Sequence, residues 1–323
     1  MAIEKSINSV QIVGTIKEIN ISKVGVADRE IGKNDSKRTV KCNRYEKSDF
    51  KNPAFVIEVN GNPVEVDVSW GVDEKYVDKD GETADNPKYK TLETITNTYV
   101  LGETRVKVDA NLVPNEYVGQ DNEYKIYAPK VELFTMTSSN VPDEDYAEGA
   151  ISGIIGARVD EFVNEEETGR KKLTLHTFDY RGAISPFTFI VPADLADDFD
   201  DFYETNSQAK LDYAIVTVQH GAKQSTEQTG FGRKSKRTSG YTTTEYQIIG
   251  GDEPFDEENK YFVSAEDVAS ANDAREVMIA KRKADKANKT QSGGTKSVKG
   301  SAANVASNPF GGTGTSVPVE SPF

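Results

Sequence analysis

Along the first part of the chain, apolar and polar residues alternate with a period of two, the signature of strands with one buried face. The pattern runs through VQIVGTIKEINI (Val10–Ile21), PAFVIEVNG (Pro53–Gly61), PVEVDVSW (Pro63–Trp70), TRVKVDANLV (Thr104–Val113) and YKIYAPKVELFTM (Tyr124–Met136), all rich in β-branched and aromatic residues. Asn60-Gly61-Asn62 predicts a tight hairpin between the second and third runs, because Asn and Gly tolerate the positive φ of such turns. NVPDEDYAEG (Asn140–Gly149) then breaks the alternation with Pro, Gly and acids. It resumes in AISGIIGARVDEFVN (Ala150–Asn164), whose apolar-Gly-apolar spacing echoes the first strand. After it come KKLTLHTFDYRG (Lys171–Gly182), PFTFIVP (Pro186–Pro192), the acidic helical stretch ADLADDFDDFYE (Ala193–Glu204), LDYAIVTVQHG (Leu211–Gly221) and TTTEYQIIGG (Thr242–Gly251). Three strands, a short helix and two strands is the order of an OB-fold, a five-stranded Greek-key barrel with its helix between the third and fourth strands.

The expected fold is therefore mainly β: two OB-type Greek-key β-barrels in tandem, followed by one helix and a disordered tail. The expected boundaries are 1–140 for the first barrel, 141–149 for an acidic linker, 150–263 for the second barrel, 264–287 for an exposed helix and 288–323 for the tail. Ser264 opens the helix with acids in its first turn and lysines in its last. Beyond it the Gly, Ser, Thr, Asn and Ala composition offers too little apolar surface to offset chain entropy.

Composition narrows the function. A chain of 323 residues with 36% hydrophobic and 28% charged residues has no run approaching a membrane span. One cysteine, Cys42, allows no internal disulfide, and the N-terminus lacks the pattern of a secretory signal, so a cytoplasmic protein is expected. His176 and His220 are the only histidines and fall in separate strands, with no phosphate-loop, dinucleotide or zinc signature anywhere. We expect no enzyme, no catalytic residues, no metal and no cofactor. The net charge of -14 argues at first against a nucleic-acid partner. The acids are segregated, however, at Asp143 to Asp145, Asp194 to Glu204 and from Asp252, which leaves room for a local cationic groove.

Two segments could form that groove. AKQSTEQTGFGRKSKRTSGY (Ala222–Tyr241), between the last two strands of the second module, offers Arg233, Lys234, Lys236 and Arg237 to phosphates and Phe231 and Tyr241 to bases. Charge that follows the backbone and rings that accept any base are what sequence-independent single-strand binding requires. REIGKNDSKRTVKCNRYEKSDFK (Arg29–Lys51), between strands one and two of the first module, carries Arg29, Lys33, Lys37, Arg38, Lys41, Arg44 and Tyr45. These are the two loop positions that line the OB binding groove. The alternative for each is a charged, solvated surface loop. Phe178, Tyr180, Phe187 and Phe189 alternate on the expected binding-face strands, which sends some of them into the core. Trp70 either stacks on a base or closes the barrel.

Two barrels and a tail ending VPVESPF make the chain resemble single-stranded DNA-binding proteins of the bacterial and bacteriophage kind. That resemblance implies an OB core, a flexible linker and a tip whose terminal carboxylate and aromatic ring dock on replication and recombination enzymes. Pro322 and Phe323, with Glu320 as the one acid, match the tip; Lys289, Lys296 and Lys299 stand in a tail that in the family carries aspartates. Two barrels on one chain look like a phage or mobile-element version and are consistent with a monomer, while edge strands leave pairing between copies open. The expected function is single-stranded DNA binding and protection in replication, recombination or repair. The competing expectation is a β-rich virion, assembly or adaptor protein whose barrels contact protein.

Overall fold

The computed structural model describes residues 6–32, 36–49, 51–68, 71–163, 165–179, 182–230 and 233–292. For 219–230, 233–241 and 289–292 it describes the backbone alone. Lys33, Trp70, Tyr180, Phe231 and the tail tip Glu320, Pro322 and Phe323 lie outside the described residues.

The first barrel is built from β1 (Asn8–Ile19), β4 (Phe55–Val59), β5 (Asn62–Val66), β9 (Arg105–Val118) and β10 (Tyr124–Thr137). β1 pairs with β4 and with β9, β4 with β5, and β9 with β10. The ring closes where the amide of Asp67 donates to the Val131 carbonyl (2.7 Å) and that of Leu133 to the Asp67 carbonyl (2.9 Å), a parallel bridge. The Asn60-Gly61 turn joins β4 to β5 with both residues at positive φ (51° and 79°), as the two-residue loop requires. Helix α1 (Pro87–Thr98) lies between the third and fourth barrel strands and buries Tyr89, Leu92 and Ile95. Asn86 caps it by accepting from the Lys88 amide (3.0 Å), and Pro87 opens it.

The second barrel uses β11 (Tyr146–Val163), β12 (Glu166–Phe178), β13 (Ile184–Val191), β14 (Gln208–Gly230) and β15 (Arg233–Gly251). Its cyclic order is β11-β12-β13-β15-β14 and back to β11, with a parallel contact between β13 and β15. Helix α2 (Ala196–Phe202) sits between β13 and β14. Order, parallel closure and helix position define the OB barrel in both halves.

The two barrels are joined through their first strands. β1 and β11 pair antiparallel from Asn8 opposite Ile151 to Val13 opposite Tyr146. About the Val10–Gly149 pair the halves are related by a local two-fold, so Ile12, Gly14 and Ile16 correspond to Ile151, Gly153 and Ile155. All four isoleucines are fully buried. Each glycine stands where its strand leaves the other barrel for its own second strand: β1 pairs with β11 up to Val13 and with β4 from Thr15. A Cβ on Gly14 would lie 2.2 Å from the Glu58 carbonyl oxygen, and one on Gly153 would lie 2.5 Å from that of His176. One apolar core runs through both barrels. Across the joint the Tyr213 hydroxyl donates to the Ser9 carbonyl (3.3 Å) and the Tyr246 hydroxyl to that of Pro129 (2.8 Å). Burial pushes both phenols up, which keeps them protonated as donors.

The segment expected as a basic loop in the first module is instead a hairpin arm, β2 (Ile21–Ile31) with β3 (Arg38–Lys47). Its base is held by β6 (Val72–Asp73), beside a small hairpin of β7 (Lys75–Val77) and β8 (Thr83–Asp85). The last helix, α3 (Ala265–Ser292), reaches five residues past the expected boundary at 287 and is docked along one side rather than exposed all round. Val268 and Ala271 pack against Ile154, Phe178, Ile184 and Val263 of the second barrel. Farther along, Arg275 and Arg282 ion-pair with Glu116 on β9 of the first barrel. Positions 268, 271, 275, 282 and 286 fall on one face at helical spacing, so α3 straps one barrel to the other.

Gly14→Ala and Gly153→Ala are each expected to lower the unfolding free energy by about 1–3 kcal/mol through overpacking. Urea unfolding checks this; wild-type stability in both would show that the strand handover tolerates a side chain.

Candidate nucleic-acid interface

Both predicted basic segments become arms at the positions an OB barrel uses for its groove loops, and their charges have different fates. On β2–β3, half-buried Arg29 and Arg44 converge on Asp73 (3.6 and 3.0 Å) and reach Glu46 (3.8 and 3.3 Å). Burial raises the Asp73 carboxyl while the two guanidiniums pull it down. These arginines hold β6 to the arm. Tyr45 is buried, its ring 5.0 Å from that of Tyr89 and its hydroxyl 3.0 Å from Thr96 Oγ1, so it belongs to the core under α1. Lys37 pairs with Glu30 (3.6 Å) and Arg38 with Glu82 (3.9 Å), both on the surface. Lys41 is exposed and stands opposite Asp28 in the ladder. Phe178 is buried in the cluster beneath α3, and Phe187 and Phe189 are core residues. Arg29, Arg44, Tyr45 and Phe178 thus all have partners inside the protein, and Tyr45 and Phe178 are buried.

The β14–β15 arm is different. From 222 to 241 it has five bases and one acid. In the backbone register Arg233 stands opposite Gly230, Lys234 opposite Gln228, Lys236 opposite Thr226 and Arg237 opposite Ser225, so no acid faces any of the four across the ladder. Tyr241 stands opposite His220 near the foot of the arm. At about 3.3 Å per residue, the nine residues from Tyr241 to Arg233 would carry such an arm roughly 30 Å from the barrel.

The roots of the two arms meet at one cleft of about 440 Å³ between the barrels. Lys47 at the end of β3 and Thr243 and Thr244 on β15 line it, together with Lys51, Lys130 and Asn115. Lys47 (7% exposed) binds Asp67 at 2.7 Å, and Lys130 reaches the same carboxylate at 3.6 Å. Two cations on one acid, with exposed Lys51 and exposed Glu65 beside them, give the cleft a polar lining of three lysines and two carboxylates. Sequence reasoning did not single out these lysines. Lys47 and Lys51 continue the basic run that ends the first arm, and only the bridge from Asp67, just past β5, to β10 brings Lys130 to them. Among the described residues no group of three or more His, Cys, Asp or Glu side chains is placed to hold a metal ion. Cys42 is buried. Among the same residues no helix is long and apolar enough to cross a membrane.

The fold and the site together define a tandem OB-barrel protein, with its barrels fused through their first strands and one arm rich in basic residues. The chain belongs to the YorF family, whose model matches residues 6–285. No curated protein matches it. Among solved structures it is similar to a deletion variant of the single-stranded DNA binding protein from Thermus aquaticus, at 9% identity and a TM-score of 0.42, covering 79% of this chain and 98% of that one. It is also similar to the wild-type form of that protein, at 8% identity and a TM-score of 0.39, covering 81% and 98%.

Tyr45→Ala is expected to lower stability by about 3–5 kcal/mol, as truncation of a buried aromatic does. A urea titration that placed it within about 0.5 kcal/mol of wild type, as for a surface site, would return Tyr45 to the list of ligand-facing rings.

Proposed function

We propose that this protein binds single-stranded DNA without sequence preference, as a non-enzymatic coat, with the strand lying in the cleft and along the β14–β15 arm. The observation that carries this reading is the arm itself: Arg233, Lys234, Lys236 and Arg237 have no acid in register against them, in a chain of net charge -14. An acidic protein that leaves one arm cationic confines a polyanion to that arm and repels it elsewhere. Phosphates along the arm and bases against Phe231 and Tyr241 make a contact that any sequence can satisfy. Lys37, Arg38 and Lys41, on the surface of the first arm, add weaker and more readily screened attraction. Coating of this kind protects a strand during replication, recombination or repair in the cytoplasm. In the same reading Glu320, Pro322 and Phe323 bring partner enzymes to the coated strand.

One observation favours protein contact by the barrels instead. The outer face of the β1–β11 joint forms a groove walled by exposed Phe134 (66%) and Ile249 (48%) and bordered by the acids Asp109, Glu148 and Asp212, a surface that would repel nucleic acid.

Replacing Arg233, Lys234, Lys236 and Arg237 together by Ala is expected to weaken oligo-dT binding. The slope of log affinity against log salt should fall by up to about 3, at roughly 0.7 per phosphate contact on a single strand. An unchanged titration would remove the arm from the site. Deleting Pro322 and Phe323 should leave that titration unchanged and abolish capture of replication or recombination enzymes.

A further inference from the structure

The far end of the first barrel's β9–β10 hairpin carries two tyrosines that the core does not use. Tyr117 stands opposite Lys125 and Tyr127 opposite Asn115, so the tyrosines are diagonal neighbours on one face of the ladder. Their rings are stacked, with centroids 5.1 Å apart and planes 7° from parallel, and their hydroxyls lie 2.8 Å from each other. The pair is nevertheless exposed, Tyr117 by 49% and Tyr127 by 44%. Single exposed apolar residues need no explanation, but a parallel-stacked aromatic pair left in water does.

The hairpin that carries the pair is braced from behind. Residues alternate across a strand, so Glu116 and Val118 point away from the tyrosine face. The Glu116 side chain, 6% exposed, is held by Arg275 and Arg282 of α3. Arg282 also donates to the Tyr124 hydroxyl (3.0 Å), and the Lys286 ammonium donates to the Val118 carbonyl. The helix thus fixes the back of the hairpin and leaves the stacked rings free in front. In front, Asn115, the residue opposite Tyr127, is itself a wall of the cleft, beside Ala128 and Pro129. The aromatic surface begins where the cleft ends.

We propose that the Tyr117–Tyr127 pair is a stacking platform for an unpaired nucleobase of the strand that leaves the cleft, an inference that rests on the single-strand reading above. Lys125, the nearest cation on this face, is engaged by Asp121 at 2.6 Å, so the platform acts through ring contact and not through phosphate attraction. A rigid aromatic surface binds a base without having to be ordered first, and it accepts any base.

The test uses the full chain and a labelled oligo-dT long enough to pass from the cleft over the hairpin. The Tyr117→Ala/Tyr127→Ala double variant should bind about 5- to 100-fold more weakly, the loss of one stacked base. Its salt slope should be unchanged, because no phosphate contact is removed. The Tyr117→Phe/Tyr127→Phe variant should bind as wild type. Independently of any variant, an oligonucleotide carrying 5-iododeoxyuridine should photocrosslink to Tyr117 or Tyr127 in the unaltered protein. Full affinity in the double Ala variant, or a crosslink map without either tyrosine, overturns the platform and leaves the cleft reading standing. A fall in salt slope that accompanies the lost affinity also overturns it, since that marks a charge contact. Failure of the unaltered chain to bind the oligonucleotide overturns both.

Discussion

The antiparallel ladder between β1 and β11 sets the position of one barrel against the other, and the rest of the molecule follows from it. Along one edge each first strand pairs with the other barrel and then with its own second strand, while its other edge stays on its own barrel; the change of partner falls at a glycine because two backbones must pass within a carbonyl's reach. The apolar faces of the two barrels then merge into one core, and Tyr213 and Tyr246 send hydroxyls across the joint. Helix α3 closes the same joint from outside, with apolar contacts on the second barrel and arginines on the first. With the barrels fixed in this way, the root of the first barrel's arm and the root of the second barrel's arm have no choice but to face one cleft.

The arms illustrate how topology and charge separate. They grow from the two connections that an OB barrel has free for binding, yet β2–β3 spends its arginines on Asp73 and Glu46 while β14–β15 keeps its bases opposite small and neutral residues. An ion pair inside an arm stiffens it and removes it from the field that a polyanion meets. A cationic arm with no acid directly opposite its bases would add its charge to the field that a polyanion meets, screened by salt. The interface proposed for this protein is accordingly asymmetric about a nearly symmetric scaffold.

Much of the scaffold was legible in the residues. The five strands of each barrel announced themselves by period-two alternation. The Asn60-Gly61 turn did so by its need for positive φ, while the apolar-Gly-apolar echo between the two first strands marked a repeat but not the joint it forms. What stayed hidden depends on distance in sequence. β2 is exposed along most of its length, Val24 and Val26 included, so its ladder with β3 leaves no buried face for alternation to mark. The docking of α3 hinges on Arg275, a charged residue that reads as surface until Glu116 appears beneath it. Tyr45 and Phe178 sit in stretches rich in charge and turn residues, and only the packing of α1 and α3 over them makes them core. The Tyr117–Tyr127 pair and the meeting of Lys130 with Lys47 arise from strand register, which no local pattern encodes.

The measurement that bears most directly on this account is a fluorescence-anisotropy titration of labelled oligo-dT with the full chain, beside a duplex of equal length, at low and at raised salt. Binding that favours the single strand and weakens steeply with salt is the predicted result. No binding at low salt, or equal binding to the duplex, would contradict it and assign the barrels to protein contacts.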